Sequence, residues 1–210
     1  MKVTLRSYTP NPIETIEMAA SNCYDSTPKT KGKIMEHCIN SGHLSVCEFA
    51  QFHFHIEGVS RALLAQLTRH RAGKYAVRSQ RYCSEDGFKF VTPSSISNDE
   101  VVLEEYRNLM NRISWFYDFA KGRNIPNEDV RFALPNACAT VLDVSFDLRN
   151  LIHFMNERLC NKAQWEIQEL AKQMRDCVVE IEPMLAQWLV PKCKMLGKCP
   201  ESKPCGKEVL

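Results

Sequence analysis

Residues 69–81 have the sequence Arg-His-Arg-Ala-Gly-Lys-Tyr-Ala-Val-Arg-Ser-Gln-Arg, and the rest of the chain is organised around this basic stretch. It lies within residues 58–84, a window that has six Lys or Arg and no Asp or Glu. The whole chain has 27 basic and 25 acidic residues, so the window is a local concentration of positive charge. Guanidinium groups bind phosphate or carboxylate through paired hydrogen bonds that a lysine ammonium group cannot reproduce. The window therefore predicts a site for an anion.

Two other interpretations of the window are open. A basic run is most often a solvated face, and a short basic stretch can also contact nucleic acid. The formal net charge is only +2, and the chain has no second basic stretch with interleaved aromatic residues. A compact anion such as a nucleotide fits better. If the end of the stretch is extended, Ser79 and Arg81 point to the same side and converge on one anionic group.

The length and composition are those of an ordinary globular protein. The 210 residues predict one compact domain over residues 1–190, followed by a tail over 191–210 that is rich in Cys, Lys and Pro. No apolar run approaches the roughly 18 residues that suggest a membrane span. Residues 1–10 lack the apolar core of a signal peptide, so we expect a cytoplasmic protein without a membrane partner.

The segments outside the basic window show clear periodicity. Residues 49–56 alternate, with Ala50, Phe52, Phe54 and Ile56 on one face, and predict a half-buried strand. Further strands are predicted over residues 1–10, 88–91 and 139–146. Helices are predicted over residues 13–23, 30–40, 61–68, 127–132 and most of the chain after 148. A long helix is predicted after an N-cap within residues 97–99, with an apolar stripe and an end at Gly122.

Histidine and cysteine residues raise the question of a metal. His53 and His55 share one strand face, with His43 nearby in sequence, and an H-x-H pair can bind zinc. Such pairs are usually polar residues on the wet side of a sheet. The tail has three evenly spaced cysteines, Cys193, Cys199 and Cys205, which lack the fourth ligand that structural zinc normally takes. The sequence therefore predicts no metal site and a loosely ordered tail, with most other cysteines buried as free thiols.

The basic stretch also carries a family resemblance. Arg69-His70-Arg71, then seven residues, then Ser79-Gln80-Arg81 resembles the RHR-x7-S-x-R signature of the flavin-dependent thymidylate synthases, and the resemblance extends over about residues 42–167. It implies an α+β fold, with a mainly antiparallel central sheet flanked by helices in a single domain. This fold class agrees with the periodicity of the segments described above.

The resemblance assigns roles to individual residues. It implies that dUMP is bound by Gln66, Arg69, Ser79, Gln80, Arg81, Arg131 and Arg158. It implies that FAD is bound by His43, Ser45, Arg69, His70, Arg71, Arg149 and His153. The Arg158 side chain is implied to be catalytic, because it pairs with the uracil ring and promotes loss of the N3 proton. Negative charge on that ring is what a fixed cation stabilises.

The reaction implied by the resemblance is reductive methylation of dUMP to dTMP. NADPH reduces FAD, and methylenetetrahydrofolate supplies the carbon unit, so both are co-substrates. The family forms homotetramers in which each active site is shared between subunits. The resemblance therefore implies small-molecule partners and further copies of this chain, and no nucleic acid.

The chain departs from the family pattern at several positions. Lys74 and Ala76 stand where a longer form of the signature has Ser and Asn, and Val77 replaces a common acidic residue. Asp147 and His153 stand where asparagines occur in some members. A related hydroxymethylation of the pyrimidine therefore stays open. The rival classes are a nucleic-acid-binding module and a zinc-dependent hydrolase.

Overall fold

The protein, for which we use a computed structural model, is described over residues 1–24, 27 and 29–206. The strands are β1 (Lys2–Tyr8), β2 (Gln51–Ser60), β3 (Lys74–Val77) and β4 (Ala139–Asp147). The longer helices are α1 (Pro12–Tyr24), α2 (Lys33–Asn40), α3 (Arg61–Leu67), α5 (Glu100–Gly122), α7 (Leu148–Arg158) and α8 (Trp165–Ile181). Single helical turns form α4 (Ser94–Ser97), α6 (Asn127–Val130) and α9 (Lys192–Met195), and short 3-10 helices span Leu44–Phe49, Arg131–Ala133 and Pro183–Gln187.

The four strands form one antiparallel sheet in the order β1-β2-β4-β3. Strand β2 confirms the predicted alternation, because Phe52, Phe54 and Ile56 are fully buried and the residues between them are partly exposed. Strand β4 alternates in the same way along its whole length. Side chains of period two place one face of each strand in the core, and the α+β class predicted from the sequence is confirmed.

The chain forms two compact units that are interleaved in sequence. Unit 1 comprises Met1, Ile56–Leu67 and Ala76–Leu142, and unit 2 comprises Lys2–His55, Thr68–Tyr75 and Asp143–Leu210. In unit 1, α5 packs against α4 and α6, and the buried residues include Met110, Tyr117 and Val130. In unit 2, α8 packs on β1 and on α7, and α1 packs on the Leu44–Phe49 turn.

Helix α5 begins as predicted and is apolar on two faces. The Asp99 carboxylate caps it by accepting hydrogen bonds from the amides of Val101 and Val102 at 3.1 Å each. The predicted apolar stripe consists of Val102, Leu103, Tyr106, Leu109, Met110, Ile113 and Tyr117. Met110 and Tyr117 are buried, but Val102 and Leu109 are 46% and 55% exposed. The stripe is wide enough that only part of it packs within unit 1.

Two short segments differ from the sequence predictions. Residues 79–81 are not extended, because the Cys83 amide donates to the Ser79 carbonyl at 2.9 Å and closes a turn. The predicted strand over residues 88–91 is reduced to one antiparallel bridge between Phe90 and Cys138. Both segments are too short for periodicity to distinguish a strand from a turn.

No helix within the described residues has both the length and the apolar character that crossing a bilayer requires.

Candidate active site

Side chains from helix α7 and from the start of the basic stretch surround an open cavity of about 580 Å³ in unit 2. We call it the arginine pocket, and its walls are Arg69, His70, Arg71, Ala72, Phe146, Asn150, His153, Glu157 and Arg158. Asn150, His153 and Glu157 are spaced by three and four residues along α7, so they share one face of the helix. The Asp147 carboxylate caps α7 by accepting from the Asn150 amide at 2.8 Å, which fixes where this face begins.

A hydrogen bond joins helix α7 to the basic stretch in the pocket wall. The Arg158 Nε–H donates to His70 Nε2 over 2.9 Å, although the residues are 88 positions apart in sequence. The His70 ring also meets the Phe154 ring edge-on at 5.0 Å and lies 5.9 Å from the His153 ring. Phe154 stacks on Phe146 at 5.5 Å. The imidazole therefore has an apolar wall on one side and a guanidinium group on the other.

His70 is a neutral imidazole at neutral pH. Burial, and after it the positive charge of Arg158, lower the pKa of His70 from 6.5 to about 4. Because Nε2 accepts the hydrogen bond from Arg158, the ring proton of the neutral form is assigned to Nδ1. The Arg158 charge is therefore not cancelled by its partner.

The backbone turn that carries His70 is held by two hydrogen bonds to one carbonyl. The His70 carbonyl oxygen accepts from the Gly73 amide at 2.9 Å and from the Tyr75 hydroxyl at 2.8 Å. A Cβ atom at Gly73 would collide with the Tyr75 hydroxyl and would lie 2.7 Å from the Phe146 ring. Burial raises the pKa of Tyr75 to about 12, so the phenol stays protonated as a donor. Glycine is needed here because the chain passes close to two aromatic rings.

Arg69 and Arg71 are exposed at the mouth of the pocket. Within the part of the chain that the structure describes, neither guanidinium group has a hydrogen bond or an ion pair. Glu157, the one carboxylate in the wall, lies 3.7 Å from Lys192. The pocket thus has three arginines and one carboxylate that already faces a lysine, which is the charge pattern that an anionic ligand requires.

Several residues with an implied nucleotide role lie in unit 1. The Glu128 carboxylate accepts from Arg81 Nε at 2.7 Å, and the Glu128 carbonyl accepts from Arg131 Nε at 3.1 Å, so these two arginines lie at one acidic residue. The Ser79 hydroxyl accepts from the Arg81 amide at 3.3 Å. The Gln80 side chain donates to the Cys138 sulfur at 3.7 Å. Gln66 lies on α3 and is half-buried.

Three residues with an implied flavin role do not line the arginine pocket. His43 and Ser45 are exposed at the beginning of the Leu44–Phe49 turn, which follows Gly42 at a φ of 78°. The Arg149 guanidinium pairs with the Glu48 carboxylate at 2.5 Å. Of the residues with an implied flavin role, Arg69, His70, Arg71 and His153 lie together in the wall of the arginine pocket.

Four residues of the pocket wall were assigned no role from the sequence, namely Ala72, Phe146, Asn150 and Glu157. The spacing from His153 could have identified Asn150 and Glu157, since both lie three or four positions away on the same helix face. Phe146 could not be identified in this way, because its alternation in β4 predicts only that it is buried.

The histidines of β2 form a different cluster. The Asp143 carboxylate lies 3.0 Å from His55 Nδ1 and 3.4 Å from His53 Nε2, and it also accepts from Arg6 at 3.1 Å. The Arg6 guanidinium is thus a cationic partner of this carboxylate. The cluster is a hydrogen-bonded patch on one face of the sheet.

The fold is of the α+β class, and its pocket offers free arginines and a neutral histidine, a charge pattern that suits an anionic ligand. Residues 4–184 match the family described as thymidylate synthase complementing protein, and the chain belongs to this family. It is 38% identical over 220 residues to the flavin-dependent thymidylate synthase of Geobacter sulfurreducens, covering 99% of this chain and 94% of the relative. It is 40% identical over 220 residues to that of Pyrococcus horikoshii, covering 96% and 90%.

Solved structures agree with the sequence relatives. The chain is similar to the crystal structure of the flavin-dependent thymidylate synthase of Helicobacter pylori complexed with FAD and dUMP, with a TM-score of 0.67 and 27% identity. The similarity covers 90% of this chain and 100% of the other. The family predicted from the signature at residues 69–81 is confirmed.

Proposed function

We propose that this chain catalyses the flavin-dependent methylation of dUMP to dTMP, with methylenetetrahydrofolate as carbon donor and NADPH as reductant. The observation that carries the proposal is the hydrogen bond from the Arg158 guanidinium to a neutral His70. It lies in a pocket whose two other arginines have no partner in the described chain. The relatives are described as flavin-dependent thymidylate synthases, and the Helicobacter pylori enzyme was solved with FAD and dUMP. These descriptions supply the ligands that the charge pattern requires.

The residues present fit a flavin dinucleotide. Its pyrophosphate is an anion, and Arg69 and Arg71 are exposed guanidinium groups without a protein partner in the described chain. We assign FAD binding to these two arginines with His70 and His153, and extend the assignment to His43, Ser45 and Arg149. When bound, FAD supplies the hydride chemistry that no amino-acid side chain provides. The role of the protein is to bind, orient and stabilise charge.

Arg158 is assigned to the pyrimidine ring. Its Nε–H is used by His70, while its two terminal nitrogens have no hydrogen bond within the described residues. Because the His70 imidazole is neutral, the full positive charge of Arg158 faces the pocket. A fixed cation lowers the barrier most where negative charge develops, and the uracil ring gains that charge when its N3 proton is lost.

The remaining nucleotide contacts are assigned to residues of unit 1. We propose that Gln66, Ser79, Gln80, Arg81 and Arg131 bind dUMP together with Arg69 and Arg158. The Arg81–Glu128 pair has both side chains about half exposed, so a phosphate can displace the carboxylate at little cost. The catalytic domain is proposed to span residues 1–190, with residues 191–210 as a tail.

We further propose a cytoplasmic homotetramer whose active sites are completed by neighbouring subunits, without nucleic-acid or membrane partners. One face of α5 supports a subunit contact, because it exposes large apolar side chains: Val101, Val102, Leu109, Trp115, Phe116 and Phe119. Trp115 and Phe119 stack at 5.2 Å and form a flat aromatic surface. Contiguous exposed apolar surface of this kind marks an interaction site.

The test is to incubate the purified protein with FAD, NADPH, methylenetetrahydrofolate and dUMP, and to identify the nucleotide product by mass spectrometry. We expect a flavin absorbance spectrum that changes when dUMP is added, and formation of dTMP. A hydroxymethylated nucleotide would identify the related reaction, which the departures at Lys74 and Ala76 keep open. Both side chains are exposed on the edge strand β3, which leaves them free to alter a ligand contact. A colourless protein that forms neither product would overturn the proposal.

A further inference from the structure

Four cysteines from two separate parts of the chain line one cavity of about 230 Å³ at the C-terminal end of unit 2. Cys193, Cys199 and Cys205 come from the tail, and Cys160 comes from the turn that follows α7. The sequence offered three evenly spaced thiols and no fourth. The structure supplies the fourth, which comes from a position 33 residues before the first of them. We propose that these four cysteines bind one zinc ion as a tetrathiolate structural site.

The burial of the tail is the first argument. Among residues 192–206, the half-buried side chains are Cys193 and Cys205, and every other residue is exposed, including Leu196 at 51%. Burial of apolar side chains is the main force that holds a segment to a protein. This tail buries almost none, and the side chains that are turned inward are those of Cys193 and Cys205. Small segments that lack a core are commonly held by disulfides or by a structural metal.

The ion pairs that tail residues form in the described chain are weak. Lys162 lies 3.4 Å from Glu201 and Lys192 lies 3.7 Å from Glu157, and the side chains in both pairs are about half exposed. Exposed ion pairs of this kind contribute little to stability. The Asn161 amide donates to the Cys205 sulfur over 3.7 Å, a long hydrogen bond. The two ion pairs therefore contribute little to holding the tail.

The chemistry of the cavity suits zinc. Zinc in structural sites takes four ligands in a tetrahedron, and four thiolates are a common set. Zn²⁺ with four thiolates carries a net charge of −2, and the cavity lining has three cations, Arg158, Lys162 and Lys192, against two carboxylates, Glu157 and Glu201.

The path of the chain brings Cys193 and Cys199 to the same cavity. Helix α9 ends before Gly197, which has a φ of 67° and turns the chain back so that Cys199 reaches the cavity that Cys193 lines. In the described chain, no three His, Cys, Asp or Glu side chains are gathered closely enough to hold an ion without rearrangement. Sites of this type assemble when the metal binds, since binding and folding are coupled.

The cysteine-lined cavity lies next to the arginine pocket. Glu157 and Arg158 line both this cavity and the arginine pocket, so the end of α7 is a wall of each. A metal in the cavity would fix the tail against the end of the helix that carries Arg158. The zinc site itself does not rest on the proposed function, because its ligands and its test are independent of catalysis.

The experiment uses the full chain purified without a metal-binding tag. We expect about one zinc per chain by elemental analysis, and Co²⁺ substitution should give the absorption bands of a tetrahedral thiolate site. Cys160→Ser, Cys193→Ser, Cys199→Ser and Cys205→Ser should each weaken zinc binding by more than about 100-fold, since even outer partners of a metal site are worth about 10–100-fold. Cys23→Ser, which changes an exposed cysteine on α1, is the control and should bind zinc normally.

Cys199→Ser keeps the test decisive, because Cys199 is exposed and its replacement should not unfold the protein. Limited trypsin digestion gives an independent result, since chelation should expose the peptide bonds after Lys194 and Lys198 and zinc should protect them again. The proposal is overturned if neither zinc nor Co²⁺ binds, or if all four variants bind zinc as well as the Cys23→Ser control. Disulfide bonds among the four cysteines in protein kept under reducing conditions would also overturn it.

Discussion

Arginines at the two ends of the basic stretch, residues 69–81, differ in what their side chains contact. At the beginning, Arg69 and Arg71 are exposed at the mouth of a pocket and have no acidic partner in the described chain. At the end, Arg78 lies 3.2 Å from the carboxylate of Glu85, which is 8% exposed, and it also donates to the Ser84 carbonyl at 2.9 Å.

The difference teaches which cations are available to a ligand. A buried carboxylate such as Glu85 requires a partner, because an unpaired buried charge is costly. Arg78 therefore stabilises the fold, and its carbonyl also accepts from Arg61 at 2.9 Å. Arg69 and Arg71 contribute no such contact, so their charge is free for binding. Arg81 is intermediate, since its partner Glu128 is itself half exposed.

The largest effect is expected for Arg158, the pocket cation closest to a neutral base. Arg158→Ala should lower kcat for dTMP formation by about 100–1000-fold, because loss of one preorganised charge-stabilising donor costs that much. Flavin occupancy should change far less. Arg158→Lys should recover only part of the rate, since the ammonium group lacks the planar fork. Turnover of dUMP and bound flavin are measured in parallel.

Arg107→Ala is the control for this prediction, because Arg107 is exposed on α5 and outside the pocket. A near-native rate in both Arg158 variants would contradict the assigned role, as would an alanine variant that lost only its flavin.

Arg78→Ala is expected to destabilise the fold. Leaving the Glu85 carboxylate without its partner should cost about 1–3 kcal/mol, a value at the low end because the Arg78 side chain is 39% exposed. Urea denaturation of the flavin-free protein measures this loss. The double variant Arg78→Ala/Glu85→Gln should be less destabilised than Arg78→Ala alone. Equal losses would show that the pair is not the cause.

Arg71→Ala should weaken flavin binding without destabilising the fold, the opposite of Arg78→Ala. Flavin affinity should fall by about tenfold or more, the value of one charge-assisted contact, while the urea midpoint of the flavin-free protein stays unchanged. Retention of flavin by the native protein should also decrease with added salt. Flavin titration and circular dichroism give the two quantities. If the variant kept all its flavin, the distinction between the two ends of the stretch would fail.

The smallest effect concerns the pH dependence of stability. The pKa of His70 is lowered to about 4 by burial and by Arg158, against 6.5 when the chain is unfolded. Between these values the unfolded chain binds more protons, so the contribution of His70 is complete above pH 6.5 and is lost as the pH falls toward 4. His70→Gln should show a smaller loss of stability between pH 7 and pH 5 in urea titrations. An unchanged pH profile would show that His70 is not buried as a neutral ring.

The sequence by itself determined the features that depend on neighbouring residues. The alternation of residues 49–56 predicted the buried face of β2, and Asp99 was within the predicted N-cap of α5, because pleat and cap follow local spacing. The Arg69 to Arg81 signature identified the family. The same local rules failed over residues 79–81 and 88–91, where a few residues fit a turn as well as a strand.

Only the tertiary structure decided which distant groups meet. Sequence spacing does not relate Arg158 to His70, which are joined by a hydrogen bond. It also does not predict that Arg78 pairs with Glu85 and Arg81 with Glu128. Nor does it predict that Cys160 lines the same cavity as the tail cysteines. A periodic pattern states that a side chain is buried or exposed, but not what it faces. Whether an arginine is free for a ligand depends on that facing group, and so it is fixed only when the chain has folded.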